Sequence, residues 1–232
     1  MIKVRKSNER GKANYGWLDT NYTFSFSNYY DRNFMGFRSL RVINEDFIEA
    51  NQGFPTHGHQ DMEILTYVIR GELSHKDSMG NGTTILPNEV QRMSAGTGIL
   101  HSEYSSPTDE THLLQIWILP EEKNLTPSYE QTFFAPEDKK GKLKLVVSRG
   151  GTDDSVTIHQ AVNLYSSILA KNEEVSHELK ENRHAWIQII KGSIELNGET
   201  LQKGDGAAVS KENLLKIKSL ADETEFLLFD LN

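Results

Sequence analysis

Thr66-Tyr67-Val68-Ile69-Arg70-Gly71 is a run of β-branched and aromatic residues that ends on a charged residue and a glycine. That is the pattern of a short strand entering a turn. The next stretch, His75 to Thr84, contains Gly80-Asn81-Gly82, a turn that joins two antiparallel strands. Further on, Ile187 to Ile190 ends at Lys191-Gly192, and Asn197-Gly198 closes a tighter hairpin. Few segments carry a sustained helical period. The chain therefore reads as all-β, a meander of short strands.

The same strands argue for duplication. Val68-Ile69-Arg70-Gly71-Glu72-Leu73 matches Ile189-Ile190-Lys191-Gly192-Ser193-Ile194 in type at each position but one. A second match follows in the same order, Gly96 to Glu103 against Gly204 to Lys211, glycine on glycine. Between the halves, Pro120 to Pro127 and Ala135 to Gly141 are polar, charged and proline-punctuated. Two domains are expected, residues 1–125 and 143–232, joined by a linker at 126–142.

Composition narrows the function. The 232 residues include 25 Lys and Arg against 33 Asp and Glu, a net charge of −8 that disfavours direct nucleic-acid binding. With no cysteine, disulfides, zinc-thiolate sites, iron-sulfur clusters and thiol nucleophiles are excluded, so any metal must take nitrogen and oxygen ligands. The N-terminal stretch Met1 to Trp17 lacks the apolar core of a secretory signal. Stretches such as Leu113 to Leu119 are far shorter than the roughly 20 residues of a membrane-spanning helix. A soluble, cytoplasmic protein is the expectation.

Side chains two apart on a strand share a face, so His57-Gly58-His59 can present two imidazoles to one ion, with Gly58 keeping the space between them clear. If the strand continues, Asp61 and Glu63 share that face. His101 and Glu103 repeat the spacing. Three imidazoles and a carboxylate from two hairpins suit a six-coordinate divalent transition ion with open positions.

His57, His59, Glu63, Gly71, Gly98 and His101 together resemble the two motifs of the cupin superfamily, His-x-His…Glu…Gly and Gly-x-x-His. With Tyr22 to Phe26, Asn28-Tyr29-Tyr30, Thr56 to His59 and Gly96 to Glu103, the chain more closely resembles the pirin family, and within it the bacterial bicupins described as quercetin 2,3-dioxygenases. That resemblance implies two cupin barrels, each a double-stranded β-helix or jelly roll. It implies a metal held by His57, His59, His101 and Glu103, with Glu63 outside the ligand set as a pocket acid. Either Glu103 or Glu63 would accept the substrate proton. The implied ion is Fe(II), with nickel, manganese, cobalt, copper and zinc as alternatives. The implied reaction opens the central ring of a flavonol such as quercetin with O2, giving a depside and carbon monoxide. The alternative is a non-catalytic, metal-bearing regulator acting through protein partners; a third is another cupin chemistry, such as a sugar or acid isomerase.

Counting back from Gly192 places Glu178 and Lys180 where the first half has His57 and His59, and the glycine match places Val209 and Lys211 against His101 and Glu103. The second half is thus expected to hold no ion, a lysine ammonium being no ligand. His75, His112, His159, His177 and His184 read as surface or packing residues. Phe24, Phe26, Tyr29 and Tyr30 read mostly as core, with an aromatic pocket as the other possibility.

Overall fold

A computed structural model describes all 232 residues. The chain forms two compact units. One comprises residues 11–133 with 156–160, the other residues 1–10, 134–155 and 161–232.

In the first unit a seven-stranded antiparallel sheet runs Ser128–Phe133, Glu89–Ser94, Glu63–Arg70, Thr111–Ile118, Leu40–Ile48, Leu18–Tyr22 and Gly11–Asn14. A four-stranded sheet runs Gly53–His59, Ile99–Ser105, Leu73–Asp77 and Gly82–Ile85. The sequence alternates as such a sheet requires. Ile99, His101, Glu103 and Ser105 are buried while Leu100 and Tyr104 are exposed, and Leu73, His75 and Asp77 are buried while Ser74 and Lys76 are exposed. The inner face is thus part apolar and part ionisable.

The second unit repeats the plan, with a large sheet running Ile2–Arg5, Gly206–Val209, His184–Lys191, Glu223–Leu231, Asn163–Ala170 and Lys144–Arg149. Its four-stranded sheet runs Glu174–Glu178, Leu214–Ser219, Ser193–Leu196 and Glu199–Gln202. Its core includes a cluster of Ile187, Ile189, Leu215, Ile217 and Phe226, all essentially inaccessible to solvent. Asn197 and Gly198 both have positive φ, as a two-residue hairpin turn needs. Each unit is a cupin-type double sheet.

The boundaries differ from those read along the chain. Residues 1–10 belong to the second unit because Ile2–Arg5 pairs with Gly206–Val209. Ser128–Phe133, read as linker, is a strand paired with Glu89–Ser94 in the first. Residues 156–160 also belong to the first unit, where the buried Arg92 donates through Nε to Thr157 O at 2.8 Å.

The first repeat match holds in structure. A Cβ on Gly71 would meet Glu110 O at 2.6 Å, and one on Gly192 would meet Glu223 O at 2.4 Å, with φ of 78° and 75°. The same turn closes against the same neighbouring strand in both units, and only glycine fits. The second match does not hold. Gly206–Val209 lies in the large sheet beside His184–Lys191, whereas Ile99–Ser105 lies in the four-stranded sheet. Its true counterpart is Leu214–Ser219: Leu73 faces Ser105, and Ile194 faces Ser219. Glycine-on-glycine counting failed because the loops between corresponding strands differ in length.

Candidate metal centre and its cavity

His57 lies directly across the ladder from His101, and His101 lies across from Asp77 on its other side. His59 faces Ile99 one rung-pair away. The three imidazoles converge, with ring centroids 4.9 Å (His57–His59), 4.4 Å (His57–His101) and 5.0 Å (His59–His101) apart. One nitrogen from each lies within 4.8 Å of the others. Three donors about 2.1 Å from a single ion occupy such a volume.

The local backbone explains the convergence. Register slips between His101 and Glu103, so that Glu103 faces Phe54 and the Pro55-Thr56 segment forms a bulge, a place where a proline without an N–H is tolerated. His57 Nδ1 lies 2.8 Å from Pro55 O and donates to it, which leaves the Nε2 lone pair for a ligand bond. At Gly53 a Cβ would sit 2.0 Å from Glu103 O, so the strand can approach only as glycine. Gly58 has a different part from the one its sequence position suggests. Its missing side chain would meet Leu100 Cδ2 at 3.2 Å on the opposite face, not the space between the imidazoles.

The electrostatics favour a cation. Burial, reinforced by the neighbouring His57, lowers His59 to about 4; burial and the surrounding histidines lower His101 to about 3. Both rings are neutral at neutral pH and their lone pairs are available. Neither ring nitrogen of the buried His101 has a hydrogen-bond partner, the condition of a ligand rather than of a packing histidine. The donor set and these orphaned nitrogens fit a divalent transition metal ion.

Glu103 is fully buried and shares a second cluster with His101 and His75. Burial, with Asp46 nearby, raises its carboxyl to about 8. Its only side-chain hydrogen bond is a long one, from Gln115 Nε2 to Oε2 at 3.4 Å.

Glu63 lies elsewhere. Asp61 has a positive φ and ends the His57 strand, so Glu63 starts a strand of the other sheet and the face-sharing parity is lost. Its carboxylate accepts from the backbone N–H of His159 at 3.3 Å and sits 3.4 Å from that ring. His159, expected to be bland, thus holds a buried acid. His75 was passed over as well. It is wholly buried, its Nε2 is 3.2 Å from Asp77 Oδ2, and it lies across the ladder from Glu103. The i, i+2 spacing His75-Lys76-Asp77 was the available signal.

A cavity of ≈400 Å³ opens on His57 and His59. Its walls are aromatic: Trp17 packs edge-on to Phe54 at 5.1 Å, and Trp117 touches both His59 at 5.0 Å and Phe26 at 5.2 Å. Of the expected aromatic residues, Phe24 is core, Phe26 is wall and Tyr30 is 73% exposed.

In the second unit, Leu179, Leu215 and Ile217 stand where the first has His59, His101 and Glu103, and His177, opposite Leu215, stands where it has His57. These replace the residues obtained by counting, and they are three hydrocarbons and one imidazole. His177 is engaged by Asp230, Nε2 to Oδ2 at 3.0 Å, while Arg183 Nε donates to Asp230 Oδ1 at 2.6 Å.

The pirin family profile matches residues 3–118, and the profile described as quercetinase C-terminal cupin domain matches residues 145–231. The chain belongs to the pirin family. This pirin is 53% identical over 232 residues to the quercetin 2,3-dioxygenase of Escherichia coli K12, covering 100% of this chain and 99% of the relative. It is 37% identical to a pirin-like protein of Caulobacter vibrioides, covering 99% of each. The crystal structure of the bacterial pirin YhhW from Escherichia coli in complex with nickel(II) superposes with a TM-score of 0.95 at 52% identity, covering 100% of this chain and 99% of that one. No helix is long and apolar enough to cross a membrane.

Proposed function

We propose that this pirin is a metal-dependent dioxygenase that opens the central ring of a flavonol such as quercetin with O2, releasing a depside and carbon monoxide. The observation that carries the reading is the placement of His57 and His59 in the wall of an aromatic-lined cavity, with His101 behind them. The names of the Escherichia coli relative and of the second matched profile support the same reading.

His57, His59 and His101 would hold the ion, with Glu103 as the fourth ligand. Fe(II) is the ion proposed; the nickel(II) complex of the relative supports a divalent transition metal. When bound, such an ion supplies positive charge and open coordination positions that acidify a phenolic hydroxyl. The chain does the rest. Trp17, Phe54, Phe26 and Trp117 give a flat substrate apolar faces and keep bulk water out. Glu103 accepts the substrate's hydroxyl proton, a transfer suited to a carboxyl whose hold on a proton is strengthened by burial. Glu63, engaged with His159, takes no part in that transfer.

The test is aerobic turnover of quercetin by the Fe(II)-loaded chain, following flavonol absorbance and carbon monoxide release. Metal-dependent turnover lost in His101→Ala is expected. Metal demonstrably bound with no turnover would overturn the dioxygenase and favour the regulator.

A further inference from the structure

The cavity has a polar strip that the metal centre does not use. Asn44 and Asp46 lie on Leu40–Ile48 in the wall facing the histidines, each only 2% exposed. Asn44 Oδ1 and Asp46 Oδ1 have no hydrogen-bond partner within the protein. Two buried acceptors left unpaired is a costly arrangement, and where they line a cavity it is relieved by donors entering from it.

Their positions follow from the register. Asn44 is opposite Gln115, whose amide reaches Glu103. Trp117, which packs on His59, lies two residues along that strand in one direction. Asp46, opposite Leu113 and Thr20, lies two residues along in the other. At about 3.4 Å per residue, Asp46 is roughly 14 Å along the sheet from the Trp117 row, with Asn44 between them. The acceptor strip therefore runs from the Gln115 row, whose amide reaches Glu103, to the Asp46 row, along a wall long enough for a multi-ring aromatic molecule.

We propose that Asn44 and Asp46 are the specificity-determining residues of this cavity, accepting hydrogen bonds from phenolic hydroxyls of the substrate other than the one that meets the metal. This rests on the dioxygenase reading for the identity of the substrate class, and it selects polyhydroxylated members of that class. The aromatic walls alone predict the reverse, since hydrophobic transfer favours the less hydroxylated ligand.

The experiment is equilibrium binding under anaerobic conditions to the metal-loaded full chain, read by quenching of Trp17 and Trp117, with quercetin and 3-hydroxyflavone as probes. Both carry the 3-hydroxy-4-keto edge; only quercetin carries further hydroxyls. Quercetin is expected to bind at least tenfold more tightly, a discrimination in line with buried acceptors left unpaired by the other ligand. In Asn44→Ala and Asp46→Ala the ratio should fall towards one, and in Asp46→Asn, which keeps an acceptor oxygen, it should largely survive. Equal affinity of the wild-type chain for the two probes overturns the proposal without recourse to any variant, as does an unchanged ratio in both alanine variants. Turnover without discrimination would sink this inference and leave the dioxygenase standing. Discrimination without turnover would do the opposite.

Discussion

His75 and Glu103 face each other across adjacent strands with both side chains wholly buried, and His75 is anchored from behind by Asp77. Burial alone would raise the Asp77 carboxyl, but hydrogen bonds from Asn81, His75 and Met79 outweigh it and hold the group ionised, below the usual carboxylate range. A carboxylate only accepts, so the His75 proton is on Nε2 and Nδ1 is left bare, without a hydrogen-bond partner. Burial keeps His75 neutral despite Asp77. His75 itself brings no charge to the centre, while the Asp77 carboxylate behind it acts on His101 through its negative charge. His75→Ala is expected to weaken metal binding by roughly 10–100-fold, the range for residues that support ligands from behind. Metal titration checks it; unchanged affinity would reduce His75 to packing.

Gly53→Ala is expected to displace the edge strand that carries His57 and His59. A Cβ there meets Glu103 O at 2.0 Å and Tyr104 Cα at 2.6 Å, backbone atoms that cannot swing away. The seven-stranded sheet does not depend on that contact. The variant should keep its strand content by circular dichroism while losing most of its metal, measured by elemental analysis after gel filtration.

How much of this was legible in the sequence follows from which interactions are local. The hairpins at Gly80 to Gly82 and Asn197-Gly198, and the glycine turns at Gly71 and Gly192, are written in a few adjacent residues, and all were readable. Strand parity, a local rule, puts His57 and His59 on one face, whereas His101 enters through the family resemblance and meets His57 only by ladder pairing. Glu63 was misplaced because one turn at Asp61 cancels that parity. The counterparts in the second unit were misnumbered because register is fixed by ladder pairing between distant segments, which no count along the chain contains. Asn44 and Asp46 gave no signal at all; their unpaired acceptors exist only once the sheets close over them.

Asp230 ties the second unit together at the position that Trp117 holds in the first. It accepts from Arg183 Nε and His177 Nε2, while Arg183 also donates to Asp230 O and Ala161 O, both at 2.7 Å. Removing the guanidinium leaves a largely buried carboxylate short of its partner. Arg183→Ala should destabilise the chain by about 3 kcal/mol, within the range for breaking a buried pair by deleting one member. Urea unfolding at neutral pH measures this, and a change below ~0.5 kcal/mol would show the cluster to be solvated.

The last prediction concerns pH. Burial, with a contribution from the charge of Glu45, raises Asp46 from 3.8 to about 7, the Thr20 hydroxyl pulling it only part of the way back. Between these values the folded chain keeps a proton that the unfolded chain has released, so folded stability falls as pH rises through that window. The amide introduced by Asp46→Asn does not ionise and carries no such penalty. The stability of that variant relative to wild type should therefore increase from pH 4 to pH 8, by on the order of 3 kcal/mol, and level off above. Glu103 adds a loss of the same sign, and because the Asp46 charge contributes to it, that loss is smaller in the variant and widens the difference in the same direction. The comparison belongs in the metal-free protein, where no cation compensates the buried carboxylates. Parallel stability curves for the two chains across pH 4–8 would mean that Asp46 is already ionised and solvated when the barrel is closed.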